Sequence, residues 1–209
     1  MSMIHIPADS VTLEGELFLP SPGNGIVLFA HGSGSSRLSP RNLFVAEILQ
    51  RNGIGTLLFD LLTREEDQDY AMRFDISLLT QRLLAATQWL QKKPEVSGVS
   101  LGYFGASTGA AAALQAAAKQ GKNIAAVVSR GGRPDLAGTA ALRQVTAPTL
   151  LIVGGEDYGV IELNQQAFAI LQCTKTLTLV PGATHLFEET GTLEKAAQHA
   201  VDWFLKYIK

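Results

Sequence analysis

One cysteine stands among 209 residues, and Cys173 alone can close no intramolecular disulfide and build no cysteine-rich zinc site. Charge is also scarce. Asp, Glu, Lys and Arg make up 17% of the chain, where about a quarter is usual. Neither sign prevails, since 17 Lys and Arg stand against 19 Asp and Glu for a net charge of −2. Without a basic excess to neutralise phosphates, a dedicated nucleic-acid binder is not expected. No apolar run approaches the length that crosses a bilayer, so no membrane partner is expected. The first residues, Met1 to Pro7, lack a basic stretch followed by an apolar one. A signal peptide is therefore not expected and a cytoplasmic location is. No HExxH or clustered carboxylate motif occurs, and no metal or organic cofactor is expected.

What is present is apolar. Hydrophobic residues make up 46% of the chain, and a protein of this size buries about 70% of its surface on folding. One domain over residues 1–209 is expected, as monomer or homodimer. Ile4 to Ile6 and Val11 to Leu19 alternate apolar and polar residues around Ala8-Asp9-Ser10, which predicts an N-terminal antiparallel hairpin. Short continuous apolar runs follow at Ile26–Ala30, Thr56–Phe59, Ser100–Phe104, Ile124–Ser129, Thr149–Val153 and Thr176–Val180. Such runs suit strands covered on both faces. Helices are predicted between and after them, near Pro40–Asn52, Asp75–Lys92, Thr108–Gln120, Ile161–Gln172 and Leu193–Ile208. The alternation predicts an open, mostly parallel α/β sheet with helices on both faces. Ligands sit at the carboxyl ends of such strands.

Glycine is enriched, at 20 residues. Gly105-Ala106-Ser107-Thr108-Gly109 fits the G-x-S-x-G nucleophile elbow, where a serine sits on a sharp strand-to-helix turn. Gly98-Val99-Ser100-Leu101-Gly102 fits it too. Ser100 opens a strand, however, whereas Ser107 has a strand before it and an alanine-rich helix former after it. Context selects Ser107 as the nucleophile.

A serine needs a base, and histidine is the usual one. There are four. His5 lies in the first strand and His199 on the polar face of the last helix. His31 enters a glycine-rich loop, where a scaffold role is expected. His185 follows the last strand directly and comes after Ser107 in the chain, which points to catalysis. For the acid that orients it, Asp157 turns off the Thr149–Val153 strand and gives the order Ser, Asp, His. Glu156 and Asp135 remain as alternatives.

Acyl transfer also needs preorganised donors for a developing oxyanion. The Thr108 N–H is one candidate. The other should come from His31-Gly32-Ser33-Gly34, with Ser33 favoured over Gly34. Arg37, Arg64, Arg130 and Arg133 follow the same strand ends. They are expected either to pair with neighbouring carboxylates or, for Arg37, Arg64 or Arg130, to hold an anionic group of a substrate.

With these residues in place, the chain resembles the α/β-hydrolases, and within them the small dienelactone hydrolase-like branch. Leu13-Glu14-Gly15-Glu16-Leu17, the His31 loop, the Ser107 elbow and the Asp157/His185 pair carry the resemblance. It implies an α/β-hydrolase fold, with Ser107, Asp157 and His185 as the triad and Ser33 and Thr108 as oxyanion donors. True dienelactone hydrolases use a cysteine nucleophile. The serine here implies a carboxylesterase-type activity on a small-molecule ester, with thioesterase, amidase or acyltransferase activity, or a non-catalytic binding role, as alternatives. About twenty residues, Arg130 to Pro148, separate two predicted strands where larger relatives carry a cap. No cap domain is expected, and short acyl groups are.

Overall fold

A computed structural model describes residues 2–21 and 23–208; Met1, Pro22 and Lys209 lie outside the described residues, so the reading of the first residues is not addressed at Met1. The strands are β1 (Ser2–Ala8), β2 (Val11–Phe18), β3 (Ile26–Ala30), β4 (Gly55–Phe59), β5 (Leu101–Ala106), β6 (Ile124–Arg130), β7 (Thr149–Gly154) and β8 (Lys175–Val180). They form one sheet in the order β1-β2-β4-β3-β5-β6-β7-β8. β1 and β2 make the antiparallel hairpin, and β2 meets β4 antiparallel. Every other pairing is parallel.

The helices are α1 (Pro40–Arg51), α2 (Ile76–Gln91), α3 (Thr108–Gln120), α4 (Thr139–Gln144), α5 (Tyr158–Ile170) and α6 (Thr192–Tyr207). They cover both faces of the sheet. Leu79 and Leu83 of α2, the alanines of α3 and Ala167 of α5 pack on Leu28, Leu57, Tyr103 and Leu151. Val45 and Leu49 of α1 and Ala200 and Phe204 of α6 pack on Phe29, Leu58, Phe104 and Ile152. This explains the continuous apolar runs, since each central strand presents alternate residues to two separate cores. The alternating β2 buries one face only.

The fold is that of an α/β-hydrolase, as the resemblance implied. Only a four-residue 3₁₀ turn, Pro134–Ala137, and the six-residue α4 lie between β6 and β7, so there is no cap domain. Most boundaries hold to within one residue, and three elements move further. β5 starts at Leu101 and runs on to Ala106. β1 spans Ser2–Ala8 because its whole length pairs with β2. α5 starts at Tyr158, directly after Asp157. No helix among the described residues is long and apolar enough to cross a membrane.

Candidate active site

β5 ends at Ala106 and α3 begins at Thr108, leaving Ser107 alone to make the turn. It does so at φ 51° and ψ −123°, a region that side-chain-bearing residues enter only under constraint. The neighbouring glycines make that turn feasible. A Cβ at Gly105 would sit 2.8 Å from the Ala110 N, and one at Gly109 would sit 2.5 Å from the His31 O. Gly32 closes the third side, since a Cβ there would come within 2.9 Å of the Ser107 Cβ. The Ser107 carbonyl accepts from Arg133 N–H (3.0 Å) and Ala110 N–H (3.1 Å), which holds the turn in place. Ser100 lies at the opposite end of β5, at the amino edge of the sheet.

His185 and Asp157 come together from the two loops that follow β8 and β7. Their Nδ1 and Oδ2 atoms are 2.7 Å apart, a bond that fixes the ring and leaves Nε2 free of Asp157. The loops can close on each other because Gly154 has no side chain, as a Cβ there would lie 2.6 Å from the Thr184 O. Glu156 N–H donates to the Ala183 carbonyl at 2.9 Å and ties them together. The alternative acids are committed elsewhere. Asp135 takes two bonds from Arg133, at 2.9 and 2.8 Å, and Glu156 accepts from the exposed Tyr158 hydroxyl.

Ser107 and His185 line one cavity of about 240 Å³, together with Gly32, Ser33, Arg41 and Arg130. Cys173 is remote from it, half-buried against Thr149 at the amino end of β7.

His31 anchors the loop beneath this cavity. Its Nδ1–H donates to the Gly32 carbonyl (3.0 Å) and its Nε2 accepts from Leu61 N–H (2.9 Å). The second bond needs the neutral ring, because a protonated Nε2 cannot accept. Burial pushes its pKa below the ordinary value of 6.5, against the opposing pull of the Gly32 carbonyl and of Asp60 and Asp67. The native state therefore binds fewer protons than the unfolded chain below pH 6.5. Stability should fall as pH drops through that range and level off below the depressed native value. Urea unfolding at pH 5.5 and 7.5 tests this: wild type should lose more stability on acidification than His31→Asn, and equal losses would count against it.

The two expected oxyanion donors are adjacent and linked. Thr108 N–H is the first amide of α3, where no intrahelical acceptor exists. Ser33 N–H donates to the Thr108 hydroxyl at 2.9 Å, so one side chain fastens the His31 loop to the elbow.

The arginines separate. Arg37 and Arg64 do not reach the Ser107 cavity and instead line a neighbouring groove with Glu14, Asp60 and Glu65. Arg37 is consumed there by an ion pair with Asp60 and another with Glu14 at 2.9 Å. Arg64 is exposed. Arg130 does line the cavity, 7% exposed. Its Nη2 donates to Asn42 Oδ1 at 3.3 Å, while Nε and Nη1 have no partner among the described residues. Burial first, and the charge of Arg41 second, lower its pKa to about 10, which leaves it cationic at neutral pH. Sequence reading missed Arg41 and Asn42. They sit at the start of α1, and only the adjacency of that helix end to the end of β6 brings them to the cavity.

The sequence profile of the Dienelactone hydrolase family matches residues 20–209. A protein of Mycobacterium tuberculosis named as a phosphoribosyl transferase is 57% identical over 205 residues, covering 98% of this chain and 46% of its own length. The chain thus spans about half the length of the curated relatives it matches. Among solved structures, a dienelactone hydrolase from Anabaena variabilis is 53% identical, with a TM-score of 0.96 over 100% of this chain and 98% of its own. Est1E from Butyrivibrio proteoclasticus shares the fold at 17% identity, with a TM-score of 0.84 over 99% and 98% of the two chains.

Proposed function

The chain belongs to the dienelactone hydrolase family, and on that premise we propose that this hydrolase cleaves small carboxylic esters through an acyl-enzyme on Ser107. The observation that carries the reading is the Asp157–His185 bond, 2.7 Å long, beside a cavity that His185 shares with a strained Ser107. In the proposed mechanism His185 takes the Ser107 proton through Nε2 as Oγ attacks the ester carbonyl. Asp157 stabilises the resulting imidazolium. The Thr108 N–H and the Ser33 N–H receive the oxyanion, the latter sharing its hydrogen between the Thr108 hydroxyl and the substrate oxygen. His185 then protonates the departing alcohol and activates water to release the acid.

The serine at the elbow, and the distance of Cys173 from it, favour this reading over a cysteine-based lactone hydrolysis. The size of the cavity and the missing cap favour short acyl groups. A 4-nitrophenyl ester series from acetate to octanoate tests both points. Turnover should be greatest for acetate to butyrate and fall beyond it. A fluorophosphonate should add one label, on Ser107. Absence of turnover across the series together with absence of the label would falsify the reading. Oxygen esters should also outpace matched thioesters and amides, and the reverse order would move the proposal to a thioesterase or amidase on the same residues.

A further inference from the structure

We propose that the cavity beside Ser107 contains an anion subsite, formed by Arg130, Arg41 and the amino end of α1, that takes a phosphate group carried by the ester substrate. The proposal rests on the hydrolytic reading above and specifies its substrate class. Its first support is Arg130. A buried guanidinium normally has a carboxylate partner, because an unpaired charge in a low-dielectric interior is costly. Arg130 has none among the described residues: its side-chain hydrogen bond goes to the neutral Asn42, and the charge that bears on it belongs to another cation, Arg41. Its remaining support is the Phe187 ring, 5.7 Å from the guanidinium carbon. Phe187 holds φ at 57°, so strained backbone in the His185 loop places that ring beneath the cation.

The second support is independent. The twelve-residue α1 begins at Pro40, capped by Ser39, and Ser39, Arg41 and Asn42 all line the same cavity. Pro40 carries no N–H and Ser39 takes the Asn42 N–H, which leaves the Arg41 amide and the positive end of the helix to favour an oxyanion. Arg41 adds a second charge. Its pair with Glu188 is long, at 3.3 Å, and Glu188 is exposed, so an incoming anion can take Arg41 over at little cost. Phosphate suits this site better than carboxylate. Its charge approaches −2 and balances both arginines, and its three terminal oxygens match a lining that also offers the hydroxyls of Ser33, Ser35 and Ser39.

Titration calorimetry with inorganic phosphate, on wild type, Arg130→Met and Arg41→Gln, tests the subsite without requiring turnover. Each substitution should weaken binding roughly tenfold or more, since it removes a charge-assisted bond. If Arg130→Met does not fold, Arg41→Gln alone decides the result. Undetectable phosphate binding by wild type, or unchanged binding in the variants that fold, overturns the subsite. A second comparison uses the acetate esters of a phosphorylated alcohol, its carboxylated analogue and its neutral parent. The phosphorylated ester should have the highest kcat/KM, and Arg41→Gln should erase the preference. Phosphate binding without that preference overturns the substrate assignment, as does equal use of the carboxylated ester. Binding of phosphate with no ester turnover at all would instead strike the hydrolytic reading and leave the subsite standing.

Discussion

Replacing Ser107 with alanine should lower kcat for ester hydrolysis about a millionfold, the scale of loss when a triad nucleophile is removed. The substitution deletes one oxygen from a half-buried residue and leaves the turn to be held by its backbone bonds to Arg133 and Ala110. The protein should therefore keep its melting temperature within a few degrees. Asp157→Asn should cost about ten-thousandfold, because an amide in place of the carboxylate favours the wrong ring tautomer at the 2.7 Å contact with Nδ1. Steady-state kinetics on 4-nitrophenyl acetate, with melting curves on the same samples, check both. A Ser107→Ala protein that folds normally and retains more than about a hundredth of the wild-type rate would remove Ser107 from the chemistry.

Gly109→Ala should be the most damaging single methyl in the molecule. The added Cβ would press on the carbonyls of both Ala30 and His31. These are backbone atoms at the end of a central strand, pinned by neighbours on both sides, so they cannot turn away as a flexible side chain would. Overpacking commonly costs about 1–3 kcal/mol, and a collision with fixed backbone belongs at or above the top of that range. Against a total stability of about 5–15 kcal/mol, the variant should melt many degrees lower or fail to accumulate folded. Whatever folds should be slow, because pushing α3 away from β3 displaces the Thr108 amide from the His31 loop. Gly159→Ala provides the control. It lies in α5 with open space around its would-be Cβ, and should be neutral or slightly stabilising. Chemical denaturation of the two variants side by side makes the comparison, and equal effects would show that the close approach is not what requires Gly109.

Most of the architecture was legible because each central strand is buried on two faces. That demands unbroken apolar runs, and runs such as Ile26–Ala30 stand out against a sparsely charged chain. The elbow was legible for a different reason: Ser107 is flanked by a strand former and a helix former, which separated it from the look-alike at Ser100. Pair contacts across the sheet were not legible. Nothing local in the sequence reveals that Arg37 is held by Asp60 and Glu14, or that Arg41 approaches Arg130. These follow from the strand order, which sets β3 beside both β4 and β5 and so brings the start of α1 over the end of β6. The bond from the Ser33 amide to the Thr108 hydroxyl was hidden for the same reason, as it joins a loop to a helix start 75 residues away.

Under the proposed mechanism, the short passage between β6 and β7 bears on the fate of an acyl group on Ser107. With no cover to shut, solvent meets the intermediate as soon as the alcohol departs, and no opening step delays the acid. Any other nucleophile dissolved nearby has the same access. Whether the acyl group ends on water or on a second alcohol is then decided by how much of each surrounds the protein, not by a wall built to choose between them.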